Sequence, residues 1–261
     1  MSITRARFRS SRSDVVVGVL VSAVVLVGCS SHKTTTNPPV AGSETPTTTP
    51  TESATPSPSG PYVFGYPAMW PFRSQAEADA WHAGDQSHQP WHLDASASAL
   101  SFAKDYLGYT DIDRVTTTKV AGSDARIGVG YVTTGTKTAT SAVVHLVRFG
   151  GAADSPWEVV GTDDTTLTLD VPGYGTAVGS PTPVGGLVTG VDENLKITVH
   201  QVSSAKPIGT FCCVPSGGDK TPWHATVSYT GVTDPVVTIA VATGGHIKSV
   251  ERFAVTAARP H

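Results

Sequence analysis

The sequence predicts a β-rich body in two parts, an α+β domain of two helices and an antiparallel meander followed by an all-β sandwich. Three observations carry this. Helical spacing of apolar residues is confined to the stretch from Ser74 to Gly108. Beyond Thr110 the apolar period changes to two, and turn residues punctuate it regularly. After the Pro/Gly break Gly179-Ser180-Pro181-Thr182-Pro183-Val184 no helical period returns.

The first helix opens at Ser74-Gln75-Ala76-Glu77, a capping box in which Ser74 accepts from the Glu77 amide while the Glu77 side chain reaches back. It runs to about Trp81, and Gly84 stops it. The second has Asp94 as N-cap; Ala99, Phe102, Ala103 and Tyr106 form its stripe, Leu100 and Leu107 widen it, and Gly108 ends it. Strands follow at Ile127-Val129-Tyr131, Val143 to Phe149, Trp157 to Val160 and Thr165 to Val171, with turns at Gly150-Gly151 and Asp163-Asp164. Thr165 to Val171 alternates cleanly and predicts Leu167, Leu169 and Val171 on one face. This α+β domain spans residues 61–176. Residues 177–261 carry candidate strands at Val184 to Val191, Leu195 to Val202, His224 to Tyr229, Val236 to Ala242 and Ile247 to Val255, which predicts a β-sandwich.

The amino-terminal 60 residues read differently. Arg5, Arg7, Arg9 and Arg12 precede an uncharged apolar run from Val15 to Val27. That run is shorter than the roughly 20 residues a spanning helix needs and suits a cleaved export signal. It ends in Leu26-Val27-Gly28-Cys29, which resembles the lipobox of bacterial lipoproteins. The resemblance implies a signal peptide of residues 1–28, diacylglycerol on the Cys29 sulfur, further acylation such as palmitate, and a lipid anchor at the extracytoplasmic face of the cell membrane. Residues 29–60 collapse to Thr, Ser, Pro, Ala and Gly, a composition unable to offset its ordering entropy, and predict a disordered stalk. The whole chain carries −3; without the four arginines and Asp14 of the signal the acidic excess rises to about 6. No basic stripe is present, which argues against nucleic acid as a partner.

Ser180-Pro181, Val188-Thr189-Gly190, Pro222-Trp223-His224-Ala225 and Phe253-Ala254-Val255 resemble the immunoglobulin-like domain of bacterial spore-germination proteins. The resemblance covers residues 177–261 and implies an immunoglobulin-like sandwich used as an extracytoplasmic interaction module, with no catalytic residues to carry over. The chain departs from that pattern at Phe211-Cys212-Cys213-Val214, and the Cys–Trp–Cys signature of antibody domains is absent.

Site chemistry is sparse, and no catalytic residue, metal site or cofactor is predicted. His82, His88 and His92 with Asp85 and Asp94 match no standard zinc spacing and read as a surface loop packed by Trp91. Gly128-Val129-Gly130 lies inside a strand with no helix after it, so it is no phosphate loop. Asp111, Asp113, Asp163 and Asp164 sit where turns favour Asp. Cys212 and Cys213 are a possible vicinal disulfide, either a structural turn clip or a redox switch, with a buried thiol pair or pairing between chains as the alternatives. Tyr62, Phe64, Tyr66, Trp70 and Phe72 form an aromatic run that either docks a glycan or protein partner or packs on its own domain as a collar. These features point to a non-catalytic binding or scaffolding lipoprotein facing a protein or a cell-wall polymer. The rival is a ligand carrier or enzyme, with a cleft lined by Phe102, Tyr106 and Tyr131 between the helices and the meander.

Overall fold

The computed structural model describes residues 62–261 except 64, 151, 164 and 165. The expected signal peptide, Cys29, the stalk, Phe64 and Asp164 lie outside the described residues. The fold is mostly β-sheet with two short α-helices.

A small hairpin, β1 (Tyr62–Val63) with β2 (Tyr66–Pro67), leads to helix α1 (Gln75–Ala83). The cap of α1 is half of the expected box: Ser74 Oγ accepts from the Glu77 amide at 3.2 Å, but the Glu77 carboxylate takes the Arg73 amide and guanidinium. Two 3-10 turns, Gln86–His88 and Pro90–Leu93, follow. Helix α2 (Ala95–Ser101) starts on Asp94, whose Oδ1 accepts from the amides of Ser96 and Ala97 at 2.7 and 3.1 Å. It continues as a π turn over Phe102–Tyr106 before Gly108, at φ +76°, breaks the spiral.

The meander is an antiparallel sheet in the order β3 (Arg114–Ala121), β4 (Asp124–Val132), β5 (Thr138–Arg148) and β6 (Trp157–Asp163). Helix α2 lies across it, burying Ala99, Phe102 and Ala103 on Ile127, Val129, Val144 and Leu146. Strand β3 is an edge, exposed over most of its length and interrupted by a register shift between Val115 and Thr117.

The second sheet runs β7-β11-β10-β8-β9: β7 (Ala177–Val178), β11 (Arg252–Pro260), β10 (Val237–Thr243), β8 (Thr182–His200) and β9 (Gly209–Val227). Only β7 and β11 pair in parallel. The two strands expected at 184–191 and 195–202 are one long strand, β8. Register shifts between Val188 and Lys196 explain the difference. The buried side chains are even-numbered before them (Val184, Val188) and odd-numbered after (Leu195, Ile197, Val199), because an extra residue in one strand reverses which face a side chain takes. Both halves of β8 reach one core with Trp223, Ile239 and Val241, so the β8–β9 ribbon bends over that core. The strands join in one ladder order where the sequence predicts the two facing sheets of a sandwich.

Three further expectations change. The last strand is Arg252–Pro260, whereas Ile247 stands 58% exposed in a turn whose amides at His246 and Ile247 donate to Glu251. Residues 166–171 touch β8 through isolated bridges at Leu167 and Val171; Leu167 and Leu169 are buried as expected, but Val171 is 44% exposed. The close approach needs Gly186, where a Cβ would meet the Thr168 carbonyl. Cys212 and Cys213 are bonded to each other inside β9, not at a turn.

One core cluster crosses the expected boundary at 176. Met69, Phe102, Ile127, Leu146 and Trp157 share it with Val236, Ala240, Phe253, Val255 and Ala257. The opposite face of the β10–β11 hairpin serves the second core through Ile239, Val241 and Ala254.

Candidate functional site

The densest aromatic assembly surrounds an open groove of about 430 Å³ beside α1. Its floor begins where Met69 and Trp70 add to the free edge of β6: the Met69 amide donates to the Val159 carbonyl and the Val159 amide to the Trp70 carbonyl at 2.7 Å. That pairing fixes Trp70. The 3-10 turn Pro90–Leu93 brings Trp91 onto it, with ring centroids 5.1 Å apart and planes 17° apart. Helix α1 supplies Trp81, and Phe72 packs between Trp81 and Phe149. Trp70, Trp81 and Trp91 are half-buried, so each keeps ring surface in contact with solvent.

His92 sits at the centre, 3% exposed and 3.8 Å from the Trp91 ring centroid, with Trp81 and Phe72 on other sides. Burial lowers its pKa to about 4, so the ring is neutral at physiological pH. The Gln89 Oε1 lies 2.9 Å from Nε2, which places the proton there and leaves Nδ1 a buried acceptor with no protein partner. Glu77, held by Arg73, and Gln89 give the groove its polar rim.

Behind Trp70 and Phe72 lies Glu158, fully buried in β6. Burial drives its pKa well up, although the amides of Phe72 and Trp70 favour the ionised form, and its Oε1 has no partner. Burial thus favours the protonated carboxyl, and Oε2 accepts from the Phe72 amide at 3.2 Å.

Of the aromatic run singled out in the sequence, Trp70 and Phe72 belong to this groove. Phe72 lines the groove but is only 4% exposed. Tyr66 lies apart, against His145 and Tyr174. Trp81, Trp91 and His92 are the groove residues that the sequence reading assigned only to a helix and a packed loop. The available signal was the recurrence of Trp-His pairs at 81–82 and 91–92, close behind the run ending at Phe72.

The other candidates separate in space. His88 pairs with Asp85 and His82 approaches Asp154, while His92 is enclosed by rings; among the described residues no three metal-ligating groups converge. Asp111 accepts from the backbone and hydroxyl of Ser249, Asp113 pairs with Arg114, and Asp163 with Arg126. Gly128-Val129-Gly130 lies within β4. Of the residues named for a carrier cleft, Phe102 and Tyr131 are core, at 0% and 4% exposure, and Tyr106 donates to Thr238 Oγ1 at 3.2 Å. Among the described residues no helix is long and apolar enough to cross a membrane.

Comparisons with protein families, with curated proteins and with solved structures find no match.

Proposed function

We propose that this chain is a lipid-anchored, extracytoplasmic binding protein that holds sugar rings of a cell-wall polymer in the groove of Trp70, Trp81 and Trp91. The observation that carries the reading is the groove itself: partly exposed indole faces around an open trough with Glu77 and Gln89 at its rim. A pyranose ring has matching chemistry. Its C–H face stacks on an indole, and its hydroxyls donate to the Glu77 carboxylate and accept from the Gln89 amide. The filled positions of Phe102 and Tyr131 favour a surface module over a carrier with a cleft between helices and meander. The anchor rests on Leu26-Val27-Gly28-Cys29 after its apolar run, and the immunoglobulin-like relation of residues 177–261 rests on the Ser-Pro, Val-x-Gly and Trp223 motifs.

The test takes the full chain with Cys29→Ser, so that it carries no lipid, and titrates chitotetraose and a soluble muropeptide glycan against tryptophan fluorescence. A saturable change is expected, weakened about tenfold or more by Trp91→Ala, a loss of about 1.4 kcal/mol. Flat fluorescence and unmoved amide resonances with both glycans overturn the groove reading. In cells fed radiolabelled palmitate, label is expected in the native chain and none in Cys29→Ala; an unlabelled native chain overturns the anchor.

A further inference from the structure

Strand β9 is the last strand of its sheet, and the bonded pair Cys212–Cys213 lies within its pairing with β8. Leu195 pairs with Val214 and Lys196 with Cys212, so β9 advances two residues where β8 advances one, and Cys213 is the extra residue of a bulge. The consequence shows in the packing. Phe211 and Val214 both pack on the Ile197–Ile239 core, although residues three apart in a regular strand face opposite ways. Between them both cysteines are exposed, and they line a cleft of about 390 Å³ together with Lys196 and Ala242.

A staple is a poor account of this bond. A disulfide stabilises by closing a loop in the unfolded chain, with a gain that grows with loop length, and residues adjacent in sequence close almost none. Nor does the bond tie a second element to β9, which the pairs Leu195–Val214 and Ile197–Phe211 hold on either side of it. Its surroundings suit chemistry instead. Both cysteines are accessible from the cleft, as attack on a disulfide sulfur requires. Lys196 is the direct cross-strand partner of Cys212, is exposed and lines the same cleft, so its side chain rises on the face that carries that sulfur. It is the only charged side chain lining the cleft, and no ion pair is made by it among the described residues.

We infer that Cys212–Cys213 is a site of thiol–disulfide exchange, reduced in the folded chain by a dithiol that enters the cleft, with Lys196 favouring departure of the Cys212 thiolate. One thiolate of the dithiol attacks the Cys213 sulfur. A mixed disulfide forms there as the Cys212–Cys213 bond breaks, and its electron pair leaves on Cys212 beside the Lys196 ammonium. The second thiolate of the dithiol then attacks the dithiol's own sulfur in the mixed disulfide, which closes the reductant's disulfide and releases Cys213. Two electrons pass to the protein, and the two protons lost by the dithiol balance those the cysteines take up. Reduction frees the bulge, while the flanking ladder keeps β9 in place. The site is independent of the tryptophan groove, and either reading stands if the other fails.

The test uses the full-length Cys29→Ser chain, in which Cys212 and Cys213 are the only cysteines left. Dithiothreitol is added without denaturant, and thiols are trapped with iodoacetamide and counted by mass while circular dichroism follows the fold. No trapped thiol is expected before reduction and two after it, with a rate proportional to dithiothreitol concentration and an unchanged spectrum. Lys196→Gln is expected to slow reduction about threefold or more, and Lys196→Arg to keep the native rate. Lys196 is exposed, so both variants fold. The double variant Cys212→Ser, Cys213→Ser is expected to melt within about 4 °C of the native chain. Two trapped thiols before reduction, reduction only under denaturant, a rate independent of dithiothreitol, full rate in Lys196→Gln, or a double variant that does not fold overturns the assignment.

Discussion

At the scale of single residues, Glu158 governs how stability responds to pH. Its carboxyl is buried behind Trp70 and Phe72 with one oxygen unpartnered, and its folded pKa lies well above the value in the unfolded chain. The folded state therefore holds a proton that the unfolded state releases above about pH 4.5. Stability from this group is complete below that pH and is lost as pH rises toward the folded pKa. Glu158→Gln keeps an oxygen for the Phe72 amide and removes the titration. Thermal melts are expected to show Tm of the native chain declining as pH rises above about 4.5, and the variant losing that decline. At pH 8 its Tm is expected to be higher by about 2–4 °C for each kcal/mol recovered. A Tm–pH profile parallel to the native one refutes this. His92 works in the opposite sense: its pKa of about 4 makes the folded chain lose stability as pH falls below the ordinary histidine range near 6.5.

At the scale of elements, the contribution of local capping chemistry is measurable at α2. Asp94→Ala removes the acceptor for two amides of the first turn and is expected to cost about 1 kcal/mol, or 2–4 °C in a chain of this size. Circular dichroism melts check it. The same locality explains which elements were legible in the sequence. Both helices were, because Ser74, Asp94, Gly84 and Gly108 act on neighbours a few residues away. Strands β4, β5 and β6 were, because their buried faces leave an apolar pattern. Strand β3 was not: Thr116, Thr117, Thr118 and Lys119 form an edge with almost nothing buried, so hydrogen bonding to β4 alone defines it. The parity change in β8 split one strand into two in the sequence pattern. Ile247 mimicked a strand start, although the Glu251 carboxylate holds its amide in a turn. For the groove, Trp70 and Phe72 were visible as a run, whereas the partnership with Trp81, Trp91 and His92 depends on α1 folding back over β6, a contact no local pattern encodes.

At the scale of the whole molecule, β10 and β11 are shared property. Phe253, Val255 and Ala257 complete the core of the meander, and the Val255 amide donates to Thr162 Oγ1 at 3.0 Å. A fragment of residues 61–176 alone would expose Met69, Ala125, Trp157 and Val159 to water. It is expected to show undispersed methyl resonances and no cooperative melt; a sharp transition in that fragment contradicts the shared core. Strand β3 leaves one rim of the meander open. If the chain is tethered by lipid, its copies diffuse in two dimensions at high local density, where bare strand rims tend to zip together into aggregates. Arg114, Lys119 and the register shift after Val115 place charge and irregularity along that rim. On such a membrane they would keep neighbours from extending one another's sheets.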